Sequence, residues 1–367
     1  MNARGVVRPE SASPRVIPRR RVPPAGVRFM PGGRVAVQCC LRQLEIWDLA
    51  MATPTLEQTV PLPGRVTDWA PLPDGEHFLV GLLEGGLRLV DRDGKDVHAF
   101  ELAPAAARFL GAEPCGLFTV HSSGSGAERT ETVQEHASYG TPCEVAVAAD
   151  GGIAAAAYGQ SFVLVWCLRS GRLLACLGYD RPGGAGNFYR TAISPDGCRV
   201  LARDAHGLLR TWDWRWAQEV GSFRVGIEEA VWDGAPVYGN VRGCGVSGPL
   251  TFAGTTRIVA AGGERIEVFA APTGDRLHSW VAHGMLHPIM GEHPGLPRVL
   301  TLRASLDGRR VLSVGVDASV RVWHVATGEE LWSAVPDPCC MDWADLAPDG
   351  RHVVWTGCPG TRVYAIG

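Results

Sequence analysis

Residues 298–332 read RVLTLRASLDGRRVLSVGVDASVRVWHVATGEELW, and this stretch decides the fold. Val299, Leu302 and Ala304 lead into a Leu306-Asp307-Gly308 turn, and Val311 and Leu312 follow it. Val320 and Val322 then bracket Trp323 before Thr327-Gly328 turns the chain again. Alternation of apolar and polar residues at period two marks half-buried strands. Glycine in each turn supplies a backbone angle that a Cβ resists. The stretch therefore predicts one antiparallel meander of four short strands.

Four such strands cannot bury their faces alone and must stack on others like them. Turns of the same chemistry recur at Pro31-Gly32-Gly33, Pro73-Asp74-Gly75, Ala149-Asp150-Gly151, Pro195-Asp196-Gly197, Leu306-Asp307-Gly308 and Pro348-Asp349-Gly350, with weaker counterparts near Gly111 and Gly254. Taken together these predict eight units. Most are followed by a strand that closes on an aromatic or apolar residue: Trp47-Asp48, Val90-Asp91, Trp166-Cys167, Trp212-Asp213, Phe269-Ala270, Trp323-His324 and finally Tyr364. The third unit has no such residue.

A repeat of about 40 to 45 residues whose third strand ends in Trp-Asp resembles the WD-repeat β-propeller family. The resemblance covers residues 27–367. It implies an all-β fold, a single propeller of four-stranded antiparallel blades, with eight blades favoured and seven as the alternative. It also implies a hydrogen-bonded tetrad that stiffens each blade. In the seventh unit Asp317 stands six residues before Trp323 and Ser313 four before Asp317, matching three of its members. The same offset elsewhere falls on Leu41, Glu84, Gln160, His206, Gly263 and Cys358, so the tetrad is missing from the other units.

Composition narrows the class. Hydrophobic content of 46%, with 46 glycines and 26 prolines, suits a turn-rich all-β globule. A formal net charge of −3 gives no reason to expect a nucleic-acid partner. Lys95 is the one lysine among 35 basic residues, an arginine bias that points to a GC-rich, bacterial genome. The N-terminus has no apolar core of the signal-peptide kind and no later stretch reads as a membrane span, which predicts a cytoplasmic protein. Eleven cysteines, an odd number with no Cys-x-x-Cys pair, read as free thiols in the core.

Residues 1–26 form an arginine- and proline-rich arm with Arg4, Arg8, Arg15, Arg19, Arg20 and Arg21 against Glu10. The last unit stops after its third strand at Tyr364. An unpaired edge is costly, so Val6-Val7 or Val16-Ile17 is expected to supply the closing strand, with a hook for an acidic partner as the competing use. In the degraded third unit, Ala105–Phe109 and Leu117–Val120 read as strands, followed by a Ser-Gly tract at 122–126 and a charged run, Glu128–Glu135. No serine in the tract has glycines two before and two after it, as a hydrolase nucleophile turn requires. Trp212, Trp214 and Trp216 would share one face of an extended strand. Such a stripe could stack bases, though aromatics of this kind more often fill the space between sheets.

Two long connections, 225–247 and 282–297, flank the sixth unit. His283, His287, Glu292 and His293 lie together in the second, a credible zinc set. No helix fixes their spacing, however, and His283 also suits the missing tetrad histidine, so no metal or other cofactor is expected. Strand direction alternates within a meander, so these connections leave from the same end as the loops joining second to third strands. Functional groups concentrate on loops held by a rigid scaffold. The expected function is a non-catalytic protein–protein interaction scaffold that binds other proteins through this loop face. Trp232, Tyr238, Arg242, Met285, His287, Met290 and His293 are the partner-binding candidates, because aromatic, Arg and Met side chains anchor interfaces. The alternative is a propeller enzyme or ligand-binding protein using the channel mouth, for which Asp68, Glu144, Arg190 and Asp342 are the inner-strand charges on offer.

Overall fold

The computed structural model describes residues 14–18, 26–40, 42–83, 85–100, 118–123, 130–135, 142–158, 162–178, 188–204, 207–225, 248–284, 298–335, 343–357 and 360–367. The first strand, β1 (Arg15–Ile17), belongs to the last sheet. Blade 1 is β2 (Gly26–Met30), β3 (Arg34–Cys40), β4 (Gln43–Asp48) and β5 (Thr55–Pro61); blade 2 is β6 (Val66–Pro71), β7 (His77–Leu82), β8 (Leu87–Asp91) and β9 (Asp96–Phe100). β10 (Phe118–Ser123) and β11 (Thr130–Glu135) form a two-stranded sheet. Blade 3 is β12 (Glu144–Val147), β13 (Ile153–Ala157), β14 (Val163–Cys167) and β15 (Leu173–Leu177); blade 4 is β16 (Phe188–Ile193), β17 (Arg199–Asp204), β18 (Leu208–Asp213) and β19 (Gln218–Arg224). Blade 5 is β20 (Leu250–Ala253), β21 (Arg257–Gly262), β22 (Arg265–Ala270) and β23 (Arg276–Val281); blade 6 is β24 (Val299–Ala304), β25 (Arg310–Gly315), β26 (Val320–His324) and β27 (Glu330–Ala334). Blade 7 is β28 (Trp343–Leu346), β29 (His352–Gly357) and β30 (Gly360–Ala365), completed by β1.

The fold is a β-propeller of four-stranded antiparallel blades, and the described residues form seven of them, not the favoured eight. Among the described residues the third unit forms a two-stranded sheet and no four-stranded blade: its 118–123 and 130–135 segments are the antiparallel β10–β11 pair, with the charged run supplying the second strand. The segment predicted as a strand at 105–109 lies outside the described residues. Packing explains why seven blades suffice. Leu72, Leu79, Leu87, Leu89 and Phe100 of blade 2 share one apolar cluster with Val145, Ala154, Ala156, Tyr158 and Trp166 of blade 3. Phe100 meets Trp166 edge to face, with ring centroids 5.5 Å apart. Blades 2 and 3 are thus direct neighbours, and no space is left for a sheet between them.

Blades 1, 5, 6 and 7 make up one compact unit and blades 2, 3 and 4 another. Within each, the core lies between facing sheets, with the second and third strands almost wholly buried. Small residues make room for large ones: Ala154–Ala157 on β13 are 0% exposed and lie beside Trp166, Tyr158 and Trp212. The sharp turn between first and second strands explains its glycine. Gly308 sits at φ +67, and a Cβ there would overlap the backbone of Ala253 and Gly254 in the adjacent blade. In the same turn Ser305 donates to Asp307 at 2.6 Å and accepts Arg310 N–H at 3.0 Å.

The N-terminal segment completes blade 7. Arg15, Val16 and Ile17 pair with Val363, Arg362 and Thr361. Ile17 is 2% exposed and joins Val27, Val35, Trp47, Leu49, Val354 and Val363 in the cluster between blades 7 and 1. The Arg15 guanidinium donates to the Leu49 carbonyl of blade 1.

The tryptophan run does not stay extended. β18 ends at Asp213, whose carboxylate accepts the Arg215 N–H, and Trp214–Trp216 form a 3-10 turn. Trp212 is buried, Trp214 is half-buried, and Trp216 is 78% exposed, so no aromatic stripe forms.

Candidate functional site

Within each unit the first strands of neighbouring blades lie side by side as the inner strands, and charged residues recur on them in two registers. Asp68, Glu144 and Arg190 each stand seven residues before the turn glycines Gly75, Gly151 and Gly197. Arg28, Arg303 and Asp345 stand five before Gly33, Gly308 and Gly350. An even difference puts both registers on the same strand face.

These side chains fasten neighbouring blades to one another. Asp68 Oδ2 accepts the backbone N–H of Val145 on the next inner strand at 2.9 Å. Glu144 Oε2 accepts the N–H of Thr191 at 2.8 Å, and its other oxygen lies 3.5 Å from Arg190 Nη1. In the four-blade unit Asp345 Oδ2 accepts the N–H of Phe29 at 2.8 Å, while Arg303 Nε approaches Oδ1 at 3.7 Å. Burial pushes the Asp345 carboxyl above its ordinary value, against the charges of Arg28 and Arg303 and the N–H groups of Phe29 and Leu346. An acceptor is needed at each place because the inner strand's outward N–H has no ladder partner there. Of the four inner-strand charges singled out from the sequence, Asp68, Glu144 and Arg190 come together in consecutive blades, and Asp342 lies outside the described residues. Sequence reasoning missed Asp345, Arg28 and Arg303. Their shared distance from the turn glycine was the available signal.

The predicted tetrad residues lie in blade 6. Trp323 Nε1 donates to Ser313 Oγ at 2.8 Å, Ser313 Oγ meets His283 Nε2 at 2.7 Å, and His283 Nδ1 meets Asp317 Oδ1 at 2.9 Å. An indole only donates and a carboxylate only accepts, so the hydrogen bonds run in one direction from Trp323 to Asp317. Burial would raise the Asp317 carboxyl, but the His283 hydrogen bond and the Ser319 hydroxyl and N–H outweigh it and hold the group well below the usual carboxylate range. Gly315 has no side chain for a reason of space, since a Cβ would overlap the His283 ring. Both ring nitrogens of His283 are spent in this chain, which takes it out of the candidate zinc set. In blade 1 the corresponding indole, Trp47, donates instead to Glu45 at 3.1 Å.

His287, Glu292 and His293 lie outside the described residues, as do the interface candidates Trp232, Tyr238, Arg242, Met285 and Met290. Among the described residues, no three or more His, Cys, Asp or Glu side chains are grouped to hold a metal ion. Cys39, Cys143, Cys167, Cys176 and Cys198 are free thiols, and burial pushes Cys176 up to about 12. Among the described residues no helix is long and apolar enough to cross a membrane. No protein-family model matches the chain, and no curated protein matches it.

Proposed function

We propose that this protein is a non-catalytic, WD-repeat-type interaction scaffold of a bacterial cytoplasm, binding other proteins through the loop face. The observation that carries this reading is the use made of the inner-strand charges. A small-molecule site at the channel mouth needs side chains aimed at a ligand, yet Asp68, Glu144 and Asp345 are engaged with backbone N–H groups of the next blade. Recognition is then left to the connections at the strand ends. The bonded chain from Trp323 to Asp317 supports the repeat type, and the arginine bias supports the source.

The residues proposed to carry binding are Trp232, Tyr238, Arg242, Met285, His287, Met290 and His293, on connections that flank blade 5. Large aromatics and methionines supply apolar contact area, and arginine forks onto carboxylates. The test is a partner captured by the wild-type chain from extract of the native host and identified by mass spectrometry. Replacing Trp232, Arg242 and Met290 together by Ala is expected to leave the circular dichroism spectrum and melting curve intact and to abolish recovery of that partner. Recovery at wild-type yield would remove the loop face from consideration.

A further inference from the structure

At the edge of blade 7, where β1 lies against β30, we propose a strand-docking slot. Its occupant is an extended segment of another protein carrying Arg-x-Ile or Arg-x-Val, and β1 is the built-in competitor that such a segment displaces. This slot is independent of the loop face.

β1 is a weak occupant of its own place. It has 3 residues against 6 in β30, whereas the outermost strands of the other blades run from 5 to 7. Its ladder covers Thr361–Val363. The same register would set Pro14 opposite Tyr364 and Pro18 opposite Gly360, and both prolines stand outside the ladder. Proline has no N–H to give to a sheet. The two prolines thus clip β1 at both ends, and a segment without them can pair further along β30. Along a sheet edge, main-chain hydrogen bonds supply affinity and pockets for alternate side chains supply specificity.

What β1 puts into the slot shows the chemistry that the slot selects. Ile17 is 2% exposed and fills a pocket among Val27, Trp47, Leu49, Val354 and Val363. The Arg15 guanidinium donates to the Leu49 carbonyl, an acceptor that rewards a cationic donor at that position. Between them Val16 is 49% exposed. The first and third positions are therefore read and the second is left open. β1 is held by three residue pairs, one buried side chain and one guanidinium contact, and the entropy lost on ordering the segment opposes them. A longer strand with the same first and third residues keeps every one of these contacts and adds to the ladder.

The probe is a fluorescent peptide with the sequence of residues 11–19 but with Pro14→Thr and Pro18→Thr, titrated by anisotropy against the full chain. It is expected to bind the full chain, and to bind a chain carrying Ile17→Ala more tightly, because the internal competitor is weaker there. The peptide with its own Ile17→Ala should bind about tenfold or more weakly, and the peptide that keeps both prolines should also lose affinity. Hydrogen exchange read by mass spectrometry should show residues 14–18 of the chain losing protection while residues 360–365 stay protected. Three outcomes would overturn the proposal: no binding to either chain at millimolar peptide, equal binding by the Ile17→Ala peptide, or binding that leaves residues 14–18 protected. A wild-type dimer that the peptide dissociates, seen by analytical ultracentrifugation, would give the slot to β1 of a second copy and exclude a foreign segment as its occupant.

Discussion

At the scale of single residues, one buried hydrogen-bonded chain makes blade 6 different from its neighbours. Removing Asp317 leaves the Ser319 hydroxyl, 3.0 Å away, as the remaining acceptor for buried His283 Nδ1, and losing a charged hydrogen-bond partner costs about 1–3 kcal/mol. Asp317→Ala is therefore expected to lower the unfolding midpoint clearly in a denaturant titration, and an unchanged midpoint would show that the chain does not contribute. The pH dependence follows from the same contact. Asp317 titrates lower in the folded than in the unfolded chain, so its contribution is complete above about pH 4 and is lost as pH falls toward the folded value. Asp345 is shifted the other way and favours the fold when protonated, so it partly offsets that loss. Asp317→Asn should flatten the acid limb of the stability curve, and Asp345→Asn should steepen it. Gly315→Ala tests the geometry, since its methyl competes with the imidazole for one space; it is expected to destabilise about as much as Asp317→Ala.

At the scale of elements, the contacts between blades are made by inner strands and by one strand from the far end of the chain. Asp68, Glu144 and Asp345 each turn a carboxylate toward a backbone N–H of the next blade, so deleting one leaves a buried donor without a partner. Asp68→Ala is expected to cost about 1–3 kcal/mol, while Asp68→Asn, which keeps an acceptor oxygen, costs less. Thermal melting of the pair measures the difference. β1 is three residues long, yet it pairs an otherwise open edge and buries Ile17 between blades 7 and 1. Deleting residues 1–18 should lower the melting temperature by several degrees. Ile17→Ala should reproduce part of that loss, on the order of 2–5 kcal/mol for a buried isoleucine. A basic arm used only as a hook would leave stability unchanged in both variants.

At the scale of the whole molecule, the number of blades is the main departure from expectation. Eight turn signals predicted eight blades, but a turn and two strands make a blade only if the sheet finds a neighbour on each face. Blades 2 and 3 already satisfy each other through Phe100, Leu89, Trp166 and Tyr158, so the intervening segment contributes the β10–β11 pair. Replacing residues 105–139 by a short Gly-Ser linker is accordingly expected to leave the melting temperature and near-ultraviolet spectrum of the chain almost unchanged. A large loss would mean that the pair supports the core. The strands, their turns, the blade type and the tetrad residues Ser313, Asp317 and Trp323 were legible in the sequence, because alternation, glycine turns and fixed offsets are local properties. The inner-strand charges were only partly legible. Asp68, Glu144 and Arg190 could be named, but Asp345 and its arginine neighbours could not be given a role, since that role depends on which N–H lies across a blade junction. The fate of Trp212, Trp214 and Trp216 was hidden for a similar reason, because a cap at Asp213 ends the strand that would have aligned them. By itself the sequence determined the repeating element, whose physics is the burial of one strand face after another. Only the tertiary structure decided how many elements stand side by side and which strand closes the last, because those outcomes are set by contacts between residues hundreds of positions apart, such as Ile17 with Val363.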